Sequence, residues 1–231
     1  MKVFSLSVLA LIGALSNLAP VGGNEPLELK KGDRIVFLGD SITQAGNRKD
    51  GYVDIIRTEM KEKRADLGIE VIGAGISGNK VPDLQKRLER DVLSKKPTIV
   101  FIYIGINDVW HGEKDPARGT SKENFEAGLK EIIAKVQQGG AKVILCTPSV
   151  IGEKTDGTNN LDSKLDEYSA ISRKVATETK SSMCDLRQAF LDHLKTNNKG
   201  NKERGVLTSD RVHLNGEGNK FVAATMLKML K

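Results

Sequence analysis

Short apolar runs alternate with segments of helical period along almost the whole chain, and that alternation most narrows what the sequence can fold into. Residues 98–104 (TIVFIYI) form the strongest run, apolar nearly throughout, as suits a central parallel strand covered on both faces. Four weaker runs read the same way: 34–38 (RIVFL), 69–72, 142–147 (KVILCT, closed by Pro148) and 183–186. Between them, apolar residues recur three to four apart. Residues 52–64 carry Val53, Ile56 and Met60, and 81–93 carry Leu84, Leu88 and Leu93. Residues 125–138 are helical by period and end at Gly139-Gly140, 161–180 carry Leu165, Tyr168, Ile171 and Val175, and 220–230 read as a last helix. The order β-α-β-α-β-α-β-α-β predicts an α/β three-layer sandwich, a parallel five-stranded sheet with helices on both faces. No internal repeat and no linker between separate cores interrupts the pattern.

The first 23 residues read as a secretory signal peptide and stand outside this pattern. Lys2 supplies a positive start and residues 3–18 are apolar, broken only by small residues, a few serines and Asn17. Small residues at Ala14-Leu15-Ser16 or Val21-Gly22-Gly23 offer cleavage points. An uncleaved anchor is the competing reading, but the run is short of the ~20 residues of a spanning helix. Cleavage leaves residues 24–231 as the working domain, secreted or periplasmic, and lowers the net charge from +6 to +5 by removing Lys2. An exported chain can hold disulfides, and Cys146 and Cys184 lie at or near the ends of two strand-like runs. Pairing between strands is geometrically demanding, so two buried free thiols are expected.

Composition removes several classes. Two cysteines and three histidines supply a four-ligand structural zinc site poorly. Ten aromatics, one of them tryptophan, give few stacking platforms, so no nucleic-acid partner is expected. No internal stretch is long and apolar enough to span a bilayer, so no stable membrane association is expected once the leader is gone.

In an open parallel sheet, ligands meet the carboxyl ends of the strands. The first strand runs into Gly39-Asp40-Ser41-Ile42-Thr43, the second into Gly73-Ala74-Gly75-Ile76-Ser77-Gly78-Asn79, and the third into Gly105-Ile106-Asn107-Asp108. Asp210-Arg211-Val212-His213 comes just before the last helix. A hydroxyl, exposed backbone amides, a side-chain amide and an Asp/His pair are thus gathered at one sheet edge. Acyl transfer needs a nucleophile, a base, a group to orient the base and donors for the oxyanion. Singly, each has an ordinary explanation: a serine after a strand caps a helix, and an Asn-Asp pair makes a turn. The glycine loop lacks G-x-G-x-x-G spacing, and an Asp and His three apart form a surface pair in most proteins.

Taken together and in this order, Gly39-Asp40-Ser41, Ile76-Ser77-Gly78, Gly105-x-Asn107-Asp108 and Asp210-x-x-His213 resemble the signature blocks of the SGNH hydrolases, the GDSL esterase/lipase family. The resemblance runs from about residue 33 to the C-terminus, with one departure: Ile42 stands where the first block often has leucine. It implies a flavodoxin-like sandwich, with Ser41 as nucleophile, His213 as general base and Asp210 as its orienting carboxylate. The Ser41 and Gly78 N–H groups and the Asn107 side-chain amide would form the oxyanion hole, with Gly75 the competing glycine. No metal or cofactor is required. G-x-S-x-G is absent around Ser41, which disfavours the α/β-hydrolase fold.

Asp40, Trp110 and His111 are candidates to touch substrate, and His193 reads as a solvated surface residue. Residues 109–120 and 149–160 should form the pocket rim, and the basic stretch 195–204 a mobile loop beside the site. Members of this family with a simple exported core are often esterases acting on small acyl groups. Polar, glycine-rich rim loops favour a short-acyl or carbohydrate O-acetyl esterase over a lipase. The alternatives are a lysophospholipase or thioesterase of the same family, or a catalytically silent carbohydrate-binding protein.

Overall fold

Five strands form one sheet, β1 (Arg34–Gly39), β2 (Glu70–Gly75), β3 (Ile99–Tyr103), β4 (Lys142–Cys146) and β5 (Ser182–Cys184), in the order β2-β1-β3-β4-β5. Every pairing is parallel. The computed structural model describes residues 25–231, so the expected leader at 1–23 lies outside the described residues. From β1 the chain goes to one side for β2 and to the other for β3. The ends of β1 and β3 therefore flank the point where the connections diverge, which is where an open α/β sheet leaves a crevice.

Among the described residues there are eight α-helices, six between strands and two after β5: α1 (Ser41–Gly46), α2 (Tyr52–Lys63), α3 (Val81–Asp91), α4 (Ile106–Trp110), α5 (Lys122–Gln138), α6 (Asp162–Glu178), α7 (Leu186–Asn197) and α8 (Gly216–Leu227). Helices α3, α5 and α6 pack in a row on one face, and α2, α8 and α7 on the other. Both faces of the sheet are therefore covered, and β3 is buried along its whole length. Phe37 of β1 lies in register with Phe101 of β3 and stacks on it at 4.7 Å between ring centroids, while Tyr52 meets Phe37 edge-on at 5.9 Å. The start and end of the domain are tied together, with Leu27 N–H donating to Met229 O and Leu29 N–H to Lys231 O, each at 2.8 Å.

The expected elements are present, and their ends moved where caps and close packing decide. β2 continues through Gly73-Ala74-Gly75, which read as loop. A side-chain carbon at Gly75 would collide with the backbone of Thr43 and Gln44, so glycine lets the strand run on beneath α1. β5 stops at Cys184 because Asp185 caps α7, accepting from Gln188 N–H at 3.1 Å and drawing Leu186 into the helix. α8 starts four residues early, at Gly216, because the Asn215 side chain accepts from Gly218 N–H at 2.8 Å. α1 and α4 are too short to show a period in sequence. Cys146 and Cys184 lie in register on neighbouring strands, both buried and both free thiols. Among the described residues, no helix is long and apolar enough to cross a membrane.

Candidate active site

Ser41 is the first residue of α1, directly beyond β1. The turn is made by Asp40, whose carboxylate accepts from Ile42 N–H at 2.9 Å and caps the helix. Opposite it, the segment before α8 folds into a tight turn. Asp210 Oδ1 accepts from Val212 N–H at 3.1 Å and His213 N–H at 2.8 Å, and Oδ2 lies 2.7 Å from His213 Nδ1. His213 Nε2 lies 2.9 Å from Ser41 Oγ, across 172 residues of sequence. With Asp210 accepting from Nδ1–H, Nε2 is left as the acceptor for the serine proton. Partial burial pushes the Asp210 carboxyl up, but its bonds from the His213 ring and the two amides outweigh this, so its pKa lies below the ordinary value.

The expected oxyanion donors converge on the same edge. Gly78 has φ +75°, in the region that favours glycine, and the His111 ring is the nearest neighbour to its open side. Asn107, buried on α4, donates one Nδ2–H to Asn79 O at 3.0 Å, leaving the other free. The N–H groups of Ser41 and Gly78 have no acceptor among the described residues. Gly75, the competing glycine, lies inside β2 against α1 and is held there by packing.

Two buried carboxyls lie behind these groups. Burial pushes Asp40 up to about 7, against the pull of the Ile42 N–H, and Asp108 adds to the rise. Burial likewise pushes Asp108 up to about 6, against the Val81 N–H that it accepts at 3.1 Å. Asp108 thereby pins the start of α3, just past the Gly78 loop, to the helix carrying Asn107. Among the described residues, no three His, Cys, Asp or Glu side chains converge as metal ligands.

Several expectations need correction. Asp40 was expected to touch substrate, but it is 1% exposed and occupied with its cap. His193 lies tilted against Phe221 at 4.8 Å between ring centroids, half-buried rather than freely solvated. The stretch 195–204 is not free: its first residues finish α7, and buried Asn198 bonds Lys202 at both its N–H and its carbonyl, at 2.9 and 2.8 Å. Residues 152–156 face the segment 198–211 and brace it. Trp110 is 37% exposed at the end of α4, with His111 beside it.

Two residues at the site were missed. Arg87 is buried under the Gly78 loop, donating to Asn79 Oδ1 at 2.7 Å, Ala74 O at 2.9 Å and Gly39 O at 2.7 Å. Its signal was available, an arginine between Leu84 and Leu88 on the apolar stripe of α3. Glu153 is buried behind the Asp210–His213 turn, and nothing in its local sequence marks it.

A serine, a histidine and an aspartate hydrogen-bonded in line at the carboxyl edge of a parallel sheet are the arrangement that serine hydrolases use. The profile of the GDSL-like lipase/acylhydrolase family matches residues 37–221, and the chain belongs to that family, within the carboxylic ester hydrolases. The acetylxylan esterase of Geobacillus stearothermophilus is 32% identical over 217 residues, covering 87% of this chain and 95% of that enzyme. The crystal structure of the acetyl xylan esterase AlAXEase is 47% identical, with a TM-score of 0.81 over 84% of this chain and 97% of that one. The structure of Axe2, the acetylxylan esterase from Geobacillus stearothermophilus, is 31% identical, with a TM-score of 0.78 over 88% and 96%. Catalytic mutants of Axe2 carry alanine in place of a serine, an aspartate and a histidine, the last two being three positions apart.

Proposed function

We propose that this protein is an exported esterase that removes O-acetyl groups from xylan, with Ser41, His213 and Asp210 as its catalytic residues. The observation that carries this reading is the continuous chain Ser41 Oγ to His213 Nε2, at 2.9 Å, and His213 Nδ1 to Asp210 Oδ2, at 2.7 Å. The acetylxylan esterases among its relatives support the substrate, and the three residue types changed in the Axe2 catalytic mutants support the assignment. The leader-like first 23 residues support export, which suits a polymeric substrate found outside the cell.

Ser41 attacks the acetyl carbonyl as His213 takes its proton, and Asp210, held ionised by its lowered pKa, steadies the imidazolium. The N–H groups of Ser41 and Gly78 and the free Nδ2–H of Asn107 receive the oxyanion, each such donor typically being worth ~10²–10³ in rate. His213 then protonates the departing sugar hydroxyl, and water clears acetyl-Ser41 by the reverse proton path. His111, beside Gly78, and the exposed Trp110 next to it would face the sugar.

The test compares purified protein with Ser41→Ala on p-nitrophenyl acetate, butyrate and a long-chain ester, and on acetylated xylan with acetate release measured. We expect Ser41→Ala to lose at least ~10³ in kcat, with acetate the preferred ester. Equal rates for the two proteins would overturn the esterase assignment. A preference for the long chain, or no acetate from xylan, would overturn the substrate.

A further inference from the structure

The turn carrying Asp210 and His213 is strained, because Arg211 between them sits at φ +87°, where side-chain-bearing residues rarely lie. Such a conformation persists only if the surroundings impose it, and the surroundings here are unusual. Glu153 is 0% exposed, with no ion-pair partner among the described residues. Its carboxylate is met instead by four donors from the segment just before the turn. Oε2 accepts from Val206 N–H at 2.7 Å. Oε1 accepts from Leu207 N–H at 2.7 Å, Thr208 N–H at 2.5 Å and the Thr208 hydroxyl at 2.9 Å. The backbone on either side is fastened too: Gly152 N–H donates to Arg211 O at 2.8 Å, and Glu153 N–H to Glu203 O at 2.9 Å.

Three consecutive amides turned inward onto one carboxylate form a concavity that selects an anion and fixes the backbone dihedrals that make it. A buried carboxylate is costly and is kept only where its hydrogen bonds are complete. We propose that Glu153 is a positioning residue: it holds residues 206–208 as an anchored base from which the strained turn sets His213 at hydrogen-bond distance from Ser41. It touches neither substrate nor the reacting atoms and acts through Asp210 and His213, so the proposal rests on the catalytic roles assigned above. A displacement of the base by about 1 Å can cost ~10²-fold in rate, and that is the scale of movement this anchor prevents.

The experiment uses Glu153→Gln, which keeps the shape but replaces one acceptor oxygen with a donor facing amide donors. It is measured beside wild type and His213→Ala for kcat and KM on p-nitrophenyl acetate. The low-field proton resonance of the His213 Nδ1–H bonded to Asp210 is recorded, with circular dichroism to confirm folding. We expect Glu153→Gln to lose ~10–100-fold in kcat with KM within about twofold, and to broaden or lose the low-field resonance. If Glu153→Gln does not fold, Thr208→Val, which deletes one donor and keeps the backbone three, is expected to lose several-fold in kcat and shift the same resonance. An unchanged kcat in the folded variant, or a lowered kcat with the resonance intact, overturns the proposal. Full activity in His213→Ala would instead overturn the catalytic assignment itself.

Discussion

Asp40 shows how one residue serves two needs at the head of the site. Its carboxylate caps α1 and so places Ser41, and its burial raises its pKa to about 7 from an ordinary 3.8. The folded protein therefore holds this proton more tightly than the unfolded chain does. As pH rises from about 4 towards 7, the unfolded chain gives up the proton first and stability falls, levelling off above the folded pKa. Asp210 works in the opposite sense: its lowered pKa adds stability that is present above 4 and is lost as pH falls through the folded value. Asp40→Asn keeps an oxygen to accept from Ile42 N–H and removes the titration. We predict that it melts close to wild type at pH 4 and higher at pH 8, by roughly 5 °C or more, in thermal unfolding followed by circular dichroism. An equal offset at both pH values would contradict this. The sequence pointed to Asp40 as a site residue but gave the wrong post, because contact with substrate and a buried cap leave the same mark next to a serine at a strand end.

At the scale of elements, β1, β2 and α3 are joined at their working ends by one side chain. The planar fork of Arg87 donates to the last carbonyl of β1, to Ala74 O in β2 and to Asn79 beyond Gly78, and it pairs with Asp91 at 3.0 Å. Burial lowers its pKa, and Asp91 opposes that. Arg87→Met fills much of the same space but takes a donor from Ala74 O and Asn79 Oδ1, leaves Gly39 O with only the long bond from Ile76 N–H at 3.3 Å, and leaves Asp91 to Arg90 alone. We predict a loss of about 1–3 kcal/mol in stability, the cost of buried acceptors left short of a donor, read as a lower urea midpoint at constant slope, with a fall in kcat because the Gly78 loop loses its anchor. A midpoint within error of wild type would refute it. Periodicity marked α2, α3, α5 and α6 well, because each buries one face on the sheet. It missed α1 and α4, whose six and five residues show no repeat and which exist because the strand ends and caps set them.

For the whole molecule, the sheet is sealed by both helical layers, so its interior opens only when the protein does. Cys146 and Cys184 are 0% and 1% exposed on neighbouring strands, and burial with the adjacent sulfur pushes the Cys146 thiol up, away from its reactive form. We predict that neither thiol reacts with an aromatic disulfide reagent in the native state beyond the rate of global unfolding, and that two react in urea. One fast-reacting thiol in buffer would show that β4 and β5 open locally. The chain alone determined the sheet, its parallel sense and the four blocks at its edge. Apolar period, turn residues and short motifs are local properties, and a buried parallel strand has few other sequences open to it. Only tertiary structure decided that Ser41 and His213, 172 residues apart, stand at 2.9 Å. It also decided that Arg87 and Glu153 hold the two sides of that gap. Many of their partners are backbone amides and carbonyls, which carry no side-chain pattern, so the sequence marks Arg87 only by its place on the apolar stripe of α3 and does not mark Glu153.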